Sequence, residues 1–242
     1  MQLTEFPRVA REQFGITAVE LNSPFFPTVQ ADYVRQLRQA AIDAGVTIVG
    51  IAVDGQGDLA QTDTSERNAA VENHRRWLEA AAVLGCGYVR ANSGGRDCRD
   101  EAAAIEACTQ SFARLARFGS ELGVKVAMEN HGGLSRRPEV MTRIIRDVDS
   151  PMCGSLPDFG NWPEDVDRYA ALEMIAPFAV GVHAKSYAFS ADGEETTIDY
   201  RRCIQILQNA NYDGPFAIEY EGQGPESEGI IATKKLLEKY AY

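Results

Sequence analysis

Residues 101–131 read EAAAIEACTQSFARLARFGSELGVKVAMENH, a long helical pattern that stops at a glycine and continues as a short strand. Gly123 follows the last predicted helical turn, a position that favours a left-handed backbone conformation. The strand is mostly apolar until it reaches Glu129, as expected for a parallel strand buried on both faces. This helix–strand unit predicts an α/β protein built around a parallel sheet.

The same alternation runs from one end of the chain to the other. Strands are predicted at Ala18–Ser23, Thr47–Val53, Tyr88–Ser93, Val124–Asn130, Met152–Phe159, Ala179–Ser186 and Pro215–Glu221. Helices are predicted at Leu3–Phe14, Ala31–Ala44, Ser65–Leu84, Asp100–Leu122, Arg137–Asp147, Pro163–Pro177, Tyr200–Ala210 and Ser227–Tyr240. No Gly/Ser-rich linker interrupts the pattern, so a single domain over residues 1–242 is predicted.

Seven strands and eight helices, with a helix first, predict a (β/α)8 TIM barrel that lacks its first strand. We expect that strand to be lost or to lie upstream of this start, and a strand within residues 1–14 would disprove the expectation. Without it, two strand edges would be open.

An open doubly wound sheet is the alternative fold. It predicts a phosphate-binding turn, but no GxGxxG or GxxxxGK[ST] motif occurs, so the barrel is favoured.

Composition argues against several classes of protein. The chain has 242 residues, of which 45% are hydrophobic, so it can bury a large core. Its formal net charge of −11 argues against a nucleic-acid partner, because phosphate binding needs a basic surface. No apolar stretch approaches the roughly 18 residues of a membrane span. Five cysteines without a CxxC pair favour free thiols and a cytoplasmic location, although an upstream segment could carry an export signal.

Four predicted strands end in residues that a buried apolar sheet should exclude. They are Glu129 in VKVAMENH, Asp158 in CGSLPDFGN, His183 in AVGVHAKS and Glu219 in GPFAIEYEG. In a closed barrel the carboxyl ends of the strands meet at one mouth, so these side chains should converge. Three carboxylates and one imidazole suit Mn²⁺ or Mg²⁺, with Co²⁺, Fe²⁺ or Zn²⁺ as alternatives. A buried ion-pair network, for example of His183 or Lys185 with Glu219, is the competing interpretation.

Further polar residues share these strand ends. Residues i and i+2 of a strand face the same side, and such pairs occur at Glu20/Asn22, Arg90/Asn92, Glu129/His131, His183/Lys185 and Glu219/Glu221. His131 and Lys185 are predicted to contact substrate oxygens, and Arg90 an anionic substrate group, with structural ion pairs as the alternative. Trp162 is a candidate to cover a sugar ring or, alternatively, to pack at the rim. For Glu20, a solvated strand end is as good an interpretation as a site residue. His74 is predicted to be a solvated helix residue.

The segments VELNSPFF (19–26), VKVAMENHGG (124–133), SLPDFGN (155–161), VHAKS (182–186) and GPFAIEYEG (214–222) resemble the xylose-isomerase-like TIM-barrel family of sugar phosphate isomerases and epimerases. The resemblance covers nearly the whole chain in order. It implies that Glu129, Asp158, His183 and Glu219 bind one divalent metal, and that Glu129 and Glu219 form the acid/base pair. Relatives often carry a histidine where this chain has Asn161, so the substrate contact at Asn161 departs from the family pattern.

The predicted function is a divalent-metal-dependent isomerase or epimerase of a small sugar or polyhydroxy carbonyl compound. One carboxylate would remove a proton beside the carbonyl, and the metal would stabilise the enediolate. The alternatives are a lyase of the inosose or dehydroshikimate type and a catalytically silent sugar-binding protein.

The endonuclease branch of the family uses histidines that this chain lacks after Val53 and Asn92, so DNA cleavage is not expected. The expected partner is a sugar-like small molecule, with no nucleic acid or membrane, and pairing into a homodimer is implied by the relatives.

Overall fold

The computed structural model describes residues 1–241, so that Tyr242, the last residue of the predicted domain, lies outside them. Within this range the strands are β1 (Ala18–Asn22), β2 (Thr47–Val53), β3 (Tyr88–Ala91), β4 (Lys125–Glu129), β5 (Cys153–Leu156), β6 (Val182–Ser186) and β7 (Phe216–Tyr220). The α-helices are α1 (Phe6–Phe14), α2 (Ala31–Asp43), α3 (Thr64–Leu84), α4 (Glu101–Leu122), α5 (Pro138–Val148), α6 (Arg168–Ile175), α7 (Tyr200–Asn209) and α8 (Glu226–Tyr240).

The strands are parallel and follow one another in chain order. β1 to β5 make one sheet, and β6 pairs in parallel with β7. Between β5 and β6 the amide of Val180 donates to the carbonyl of Ser155, and the amide of His183 donates to that of Pro157 at 2.9 Å. These bonds join the two sheets into one curved sheet, and helices connect its successive strands. The prediction of an α/β barrel of the TIM type is confirmed.

The beginning of the chain is helical, as predicted. Leu3–Glu5 form a 3-10 turn that continues directly into α1, so no strand precedes β1 within residues 1–241. In the same range β1 and β7 each pair with a strand on one side only. All five residues of β7 are partly exposed, whereas β3, β4 and β6 are almost wholly buried. Seven strands and eight α-helices are therefore confirmed for the described residues.

Local sequence signals explain where most helices begin and end. Asp63 and Asp100 accept hydrogen bonds from backbone amides in the first turns of α3 and α4, as expected for capping residues. Gly85 and Gly123 follow those helices in the left-handed conformation, with φ of 81° and 71°. None of the helices within residues 1–241 has the length and hydropathy that a membrane crossing requires.

Several predicted elements are longer than the observed ones, and two differ most. The helix predicted at Pro163–Pro177 begins only at Arg168, because the Asp167 side chain accepts from the amides of Tyr169 and Ala170 and caps the helix there. The strand predicted at Met152–Phe159 ends at Leu156. Its next residue is Pro157, which has no amide proton to continue a ladder of hydrogen bonds.

The five cysteines are unpaired, as predicted, and differ in exposure. Cys98 is partly exposed, and the others are buried. Burial raises the pKa of Cys86, Cys153 and Cys203 to about 12 and that of Cys108 well above its ordinary range. Since the thiolate is the reactive form, we expect Cys98 alone to react with Ellman's reagent in the native protein at about pH 8, and all five cysteines after denaturation. Reaction of a second native thiol would contradict this burial pattern.

Candidate metal centre

The four predicted metal ligands converge at one site, where Glu129 ends β4, Asp158 follows β5, and His183 and Glu219 lie within β6 and β7. Glu129, Asp158, His183 and Glu219 each offer one ligand atom, and these atoms all lie within 4.8 Å of one another. Nδ1 of His183 is 2.9 Å from Oε1 of Glu129, 3.1 Å from Oε1 of Glu219 and 4.0 Å from Oδ2 of Asp158. Three of the four residues are buried, whereas the Glu219 side chain is 29% exposed. The cluster therefore has one solvent-facing side.

Asp158 lies in the loop after β5 and is held by its backbone and by one oxygen of its side chain. Asn130 accepts from the Asp158 amide at 2.7 Å and donates to the Asp158 carbonyl at 3.0 Å. Oδ1 of Asp158 accepts from the amides of Gly160 and Asn161. Oδ2 is buried and has no hydrogen-bond partner, and Nζ of Lys185 lies 3.6 Å from it. A buried carboxylate oxygen without a donor is unfavourable, and a cation at the centre would satisfy it, so this donor set fits a divalent metal.

Burial and charge strongly perturb the cluster. Burial, reinforced by the charges of Glu129 and Glu219, raises the pKa of Asp158 to about 8, although Lys185 opposes the shift. Burial also acts against ionised Glu129, but the charge and hydrogen bond of His183 outweigh it and lower the pKa of Glu129 to about 2. For His183, burial is likewise outweighed by the charges of Glu20 and Glu129, which raise its pKa well above the ordinary range. The shifts of Asp158 and Glu129 have opposite signs because several carboxylates share one buried site with His183 and Lys185.

The two predicted cationic contacts are paired with carboxylates. Nζ of Lys185 lies 2.6 Å from Glu219 and 2.7 Å from Glu221. The guanidinium of Arg90 is buried, with Nη1 2.6 Å from Asp54 and Nε 2.9 Å from Glu129. The ion-pair network that the sequence left open is therefore present, and it involves the same carboxylates as the candidate metal centre.

The other predicted substrate contacts lie in different surroundings. The Asn161 amide donates to Oε1 of Glu129 at 3.1 Å, so Asn161 touches the cluster itself. His131 is exposed at the mouth, two residues beyond Glu129. Trp162 is 8% exposed and packs within the main apolar core. The prediction that His74 is solvated is wrong, because α3 packs that face inward and its Nδ1 lies 2.8 Å from the Ala70 carbonyl oxygen.

Two further carboxylates near the centre were not among the predicted site residues. Oε1 of Glu20 is 3.0 Å from Nε2 of His183, so the alternative of a solvated strand end is wrong for this residue. Asp54 follows β2 and accepts from both Arg90 and Asn92. Asp54 directly follows the apolar strand β2, which is the kind of signal that identified the four ligands. The i, i+2 pairing of Glu20 with Asn22 and of Arg90 with Asn92 pointed to the same mouth.

Comparison with known proteins assigns the fold to a family. A family model described as xylose isomerase-like TIM barrel matches residues 8–240. The chain belongs to this family. No curated protein matches the sequence significantly.

Solved structures support a shared fold at low identity. A D-psicose 3-epimerase in the presence of D-fructose is 13% identical, with a TM-score of 0.80 over 100% of this chain and 94% of that one. An L-ribulose 3-epimerase is 15% identical, with a TM-score of 0.82 over 98% and 88%. A xylose isomerase-like TIM barrel protein from Mycobacterium smegmatis, in complex with magnesium, is 18% identical, with a TM-score of 0.74 over 98% and 88%. The barrel of this chain is thus similar to those of sugar epimerases.

Proposed function

We propose that this chain is a divalent-metal-dependent isomerase or epimerase of a small sugar or polyhydroxy carbonyl compound. The observation that carries the proposal is the convergence of Glu129, Asp158, His183 and Glu219 within 4.8 Å at the barrel mouth. Carboxylate-rich sets are typical of Mn²⁺ and Mg²⁺ sites, and the Oδ2 atom of Asp158, which is buried without a hydrogen bond, fits such an ion. The sugar epimerases of similar fold support the same class of substrate.

The arrangement of the two glutamates suits proton transfer on both sides of a substrate. A bound divalent cation would polarise the substrate carbonyl and acidify the neighbouring C–H bond. Glu129 ends β4 and Glu219 lies in β7, so the two carboxylates approach the centre from separate parts of the barrel sheet. One would accept the proton from carbon, and the other would return a proton. Return to the opposite face inverts the carbon, whereas return to the adjacent carbon isomerises the sugar.

The fixed orientation of its carboxylate favours Glu129 as the first base. Its lowered pKa, about 2, keeps it ionised at neutral pH. Asn161 and Arg90 hold its two oxygens, which fixes the direction of the carboxylate. Glu219 is the more exposed of the pair and lies on the solvent-facing side of the cluster. A substrate entering from the mouth would therefore meet Glu219 first and the buried Glu129 behind it.

The charge around the centre favours an uncharged substrate. Glu20, Asp54 and Glu221 add three carboxylates to the candidate ligand set, and the nearby cations Arg90 and Lys185 are already paired. Neither of these two cations is free to receive a phosphate or carboxylate group, which would therefore meet a negative field. We therefore place a neutral ketose or inosose ahead of a sugar phosphate or dehydroshikimate.

The test combines metal uptake with deuterium incorporation. Purified protein would be titrated with Mn²⁺, Mg²⁺, Co²⁺ and Zn²⁺ and then incubated in D₂O with neutral ketoses, inososes and their phosphorylated counterparts. We expect one bound metal per chain and, by NMR, deuterium on the carbon beside the carbonyl of a neutral compound. Loss of water with a new UV-absorbing enone would assign a lyase instead. Absence of any metal uptake would reject the enzymatic function and leave the sugar-binding alternative.

A further inference from the structure

The side chain of Glu20 lies behind the imidazole of His183, on the side away from the other candidate ligands. Its Oε1 is 3.0 Å from Nε2 of His183, and the side chain is 7% exposed. The other ring nitrogen, Nδ1, faces Glu129 and Glu219. The two nitrogens of one ring thus face different carboxylates, and Glu20 is not among the candidate metal ligands.

The position of Glu20 is itself fixed by Tyr88. The Tyr88 hydroxyl donates to Oε2 of Glu20, so both carboxylate oxygens have a partner. The Tyr88 ring is buried between Gly50 and Gly181, where a Cβ atom on either glycine would overlap it. Because the ring is held on both sides, the hydroxyl cannot move away from Glu20 without displacing β2 or the segment before β6.

We propose that Glu20 is a positioning residue that accepts the Nε2 proton of His183 and so presents Nδ1 as the metal-binding nitrogen. A neutral imidazole carries one proton, and the partner of the protonated nitrogen decides which nitrogen is free to bind a metal. A carboxylate behind a ligating histidine also fixes the ring orientation and makes the free nitrogen a stronger donor. The inference rests on the proposed function, because it requires a metal at this centre.

Glu20 could alternatively serve only as a buried counter-charge to a doubly protonated imidazole. Both ring nitrogens have carboxylate partners, which such an ion pair also requires. The two roles differ once metal is present. A positioning role requires Nδ1 to lose its proton to the metal while Nε2 keeps its own, so loss of Glu20 lowers metal affinity. A counter-charge role stabilises the doubly protonated ring against the metal, so loss of Glu20 would raise metal affinity or leave it unchanged.

The experiment compares metal affinity in Glu20→Gln, Tyr88→Phe and Glu12→Gln with that of the unaltered chain by isothermal titration with Mn²⁺. Gln at position 20 keeps the size of the side chain but loses its charge, and we expect a loss in affinity of about 10- to 100-fold. Tyr88→Phe removes only the hydroxyl that holds Glu20, and we expect a smaller, few-fold loss. Glu12→Gln makes the same chemical change on an exposed face of α1 and should leave affinity unchanged.

A second readout does not depend on the variants folding. The chain contains three histidines, His74, His131 and His183, so ¹⁵N-histidine NMR of Zn²⁺-loaded protein gives few signals. We expect the His183 signals to show a proton on Nε2 and zinc on Nδ1. Zinc on Nε2, a proton retained on Nδ1, or unchanged or raised Mn²⁺ affinity in a folded Glu20→Gln protein would overturn the inference alone. Failure of the unaltered chain to bind metal would overturn the proposed function with it.

Discussion

Replacement of Glu129 by glutamine is expected to lower kcat/KM by about 10²- to 10⁴-fold, the usual contribution of a positioned general base. Glutamine has nearly the same shape, so its carbonyl can still accept the hydrogen bond that Asn161 now donates to Oε1. It cannot accept a proton from carbon, and it weakens the metal site by removing one negative ligand. The measurement is the rate of deuterium exchange into the best neutral substrate, with metal at saturation.

The control for this variant separates chemistry from folding. Glu106→Gln makes the same change on the exposed face of α4, where Glu106 accepts a hydrogen bond from Gln110, and should retain the original rate. We expect Glu129→Gln to fold, since Arg90 keeps its second partner, Asp54. Circular dichroism would check this. Full activity in a folded Glu129→Gln protein would remove Glu129 from the acid/base role and leave Glu219 as the candidate base.

Metal addition is expected to raise the thermal midpoint of unfolding by a large margin. A ligand present at about 1,000 times its Kd stabilises the folded state by about 4 kcal/mol. For a chain of this size that free energy corresponds to a shift in Tm of about 8–16 °C. The buried negative cluster is the reason, because the ion binds a site that exists only when the four strand ends are assembled. Differential scanning calorimetry with and without Mn²⁺ gives the shift, and a chelator should reverse it.

The matched variant for this measurement is Asp158→Asn. Its amide oxygen can still accept from Gly160 and Asn161, so the loop after β5 keeps its hydrogen bonds. Oδ2, which now accepts no hydrogen bond, is replaced by an amide nitrogen and is lost as a ligand. We expect most of the metal-dependent shift in Tm to disappear. An equal shift in the variant and the unaltered chain would place the bound metal at another site.

The fold and the candidate ligands could be predicted from sequence because both depend on local patterns. Each strand is a short apolar run, and each helix has its own start or stop signal, as Asp100 and Gly123 do for α4. Parallel order places all carboxyl ends on one side, so Glu129, Asp158, His183 and Glu219 could be assigned to one centre before any distance was known. The roles that follow for a sugar substrate, and the expected homodimer, stay predictions.

The sequence by itself therefore determined the barrel, its seven-strand order and the residues at its mouth. Only the tertiary structure decided which charges meet: Glu20 pairs with His183 across 163 positions, and Arg90 and Lys185 are paired with carboxylates. It also decided that Trp162 and His74 are buried. The physical reason is that periodicity and capping act over a few residues, whereas an ion pair depends on strand register and side-chain rotamers at positions far apart in the chain.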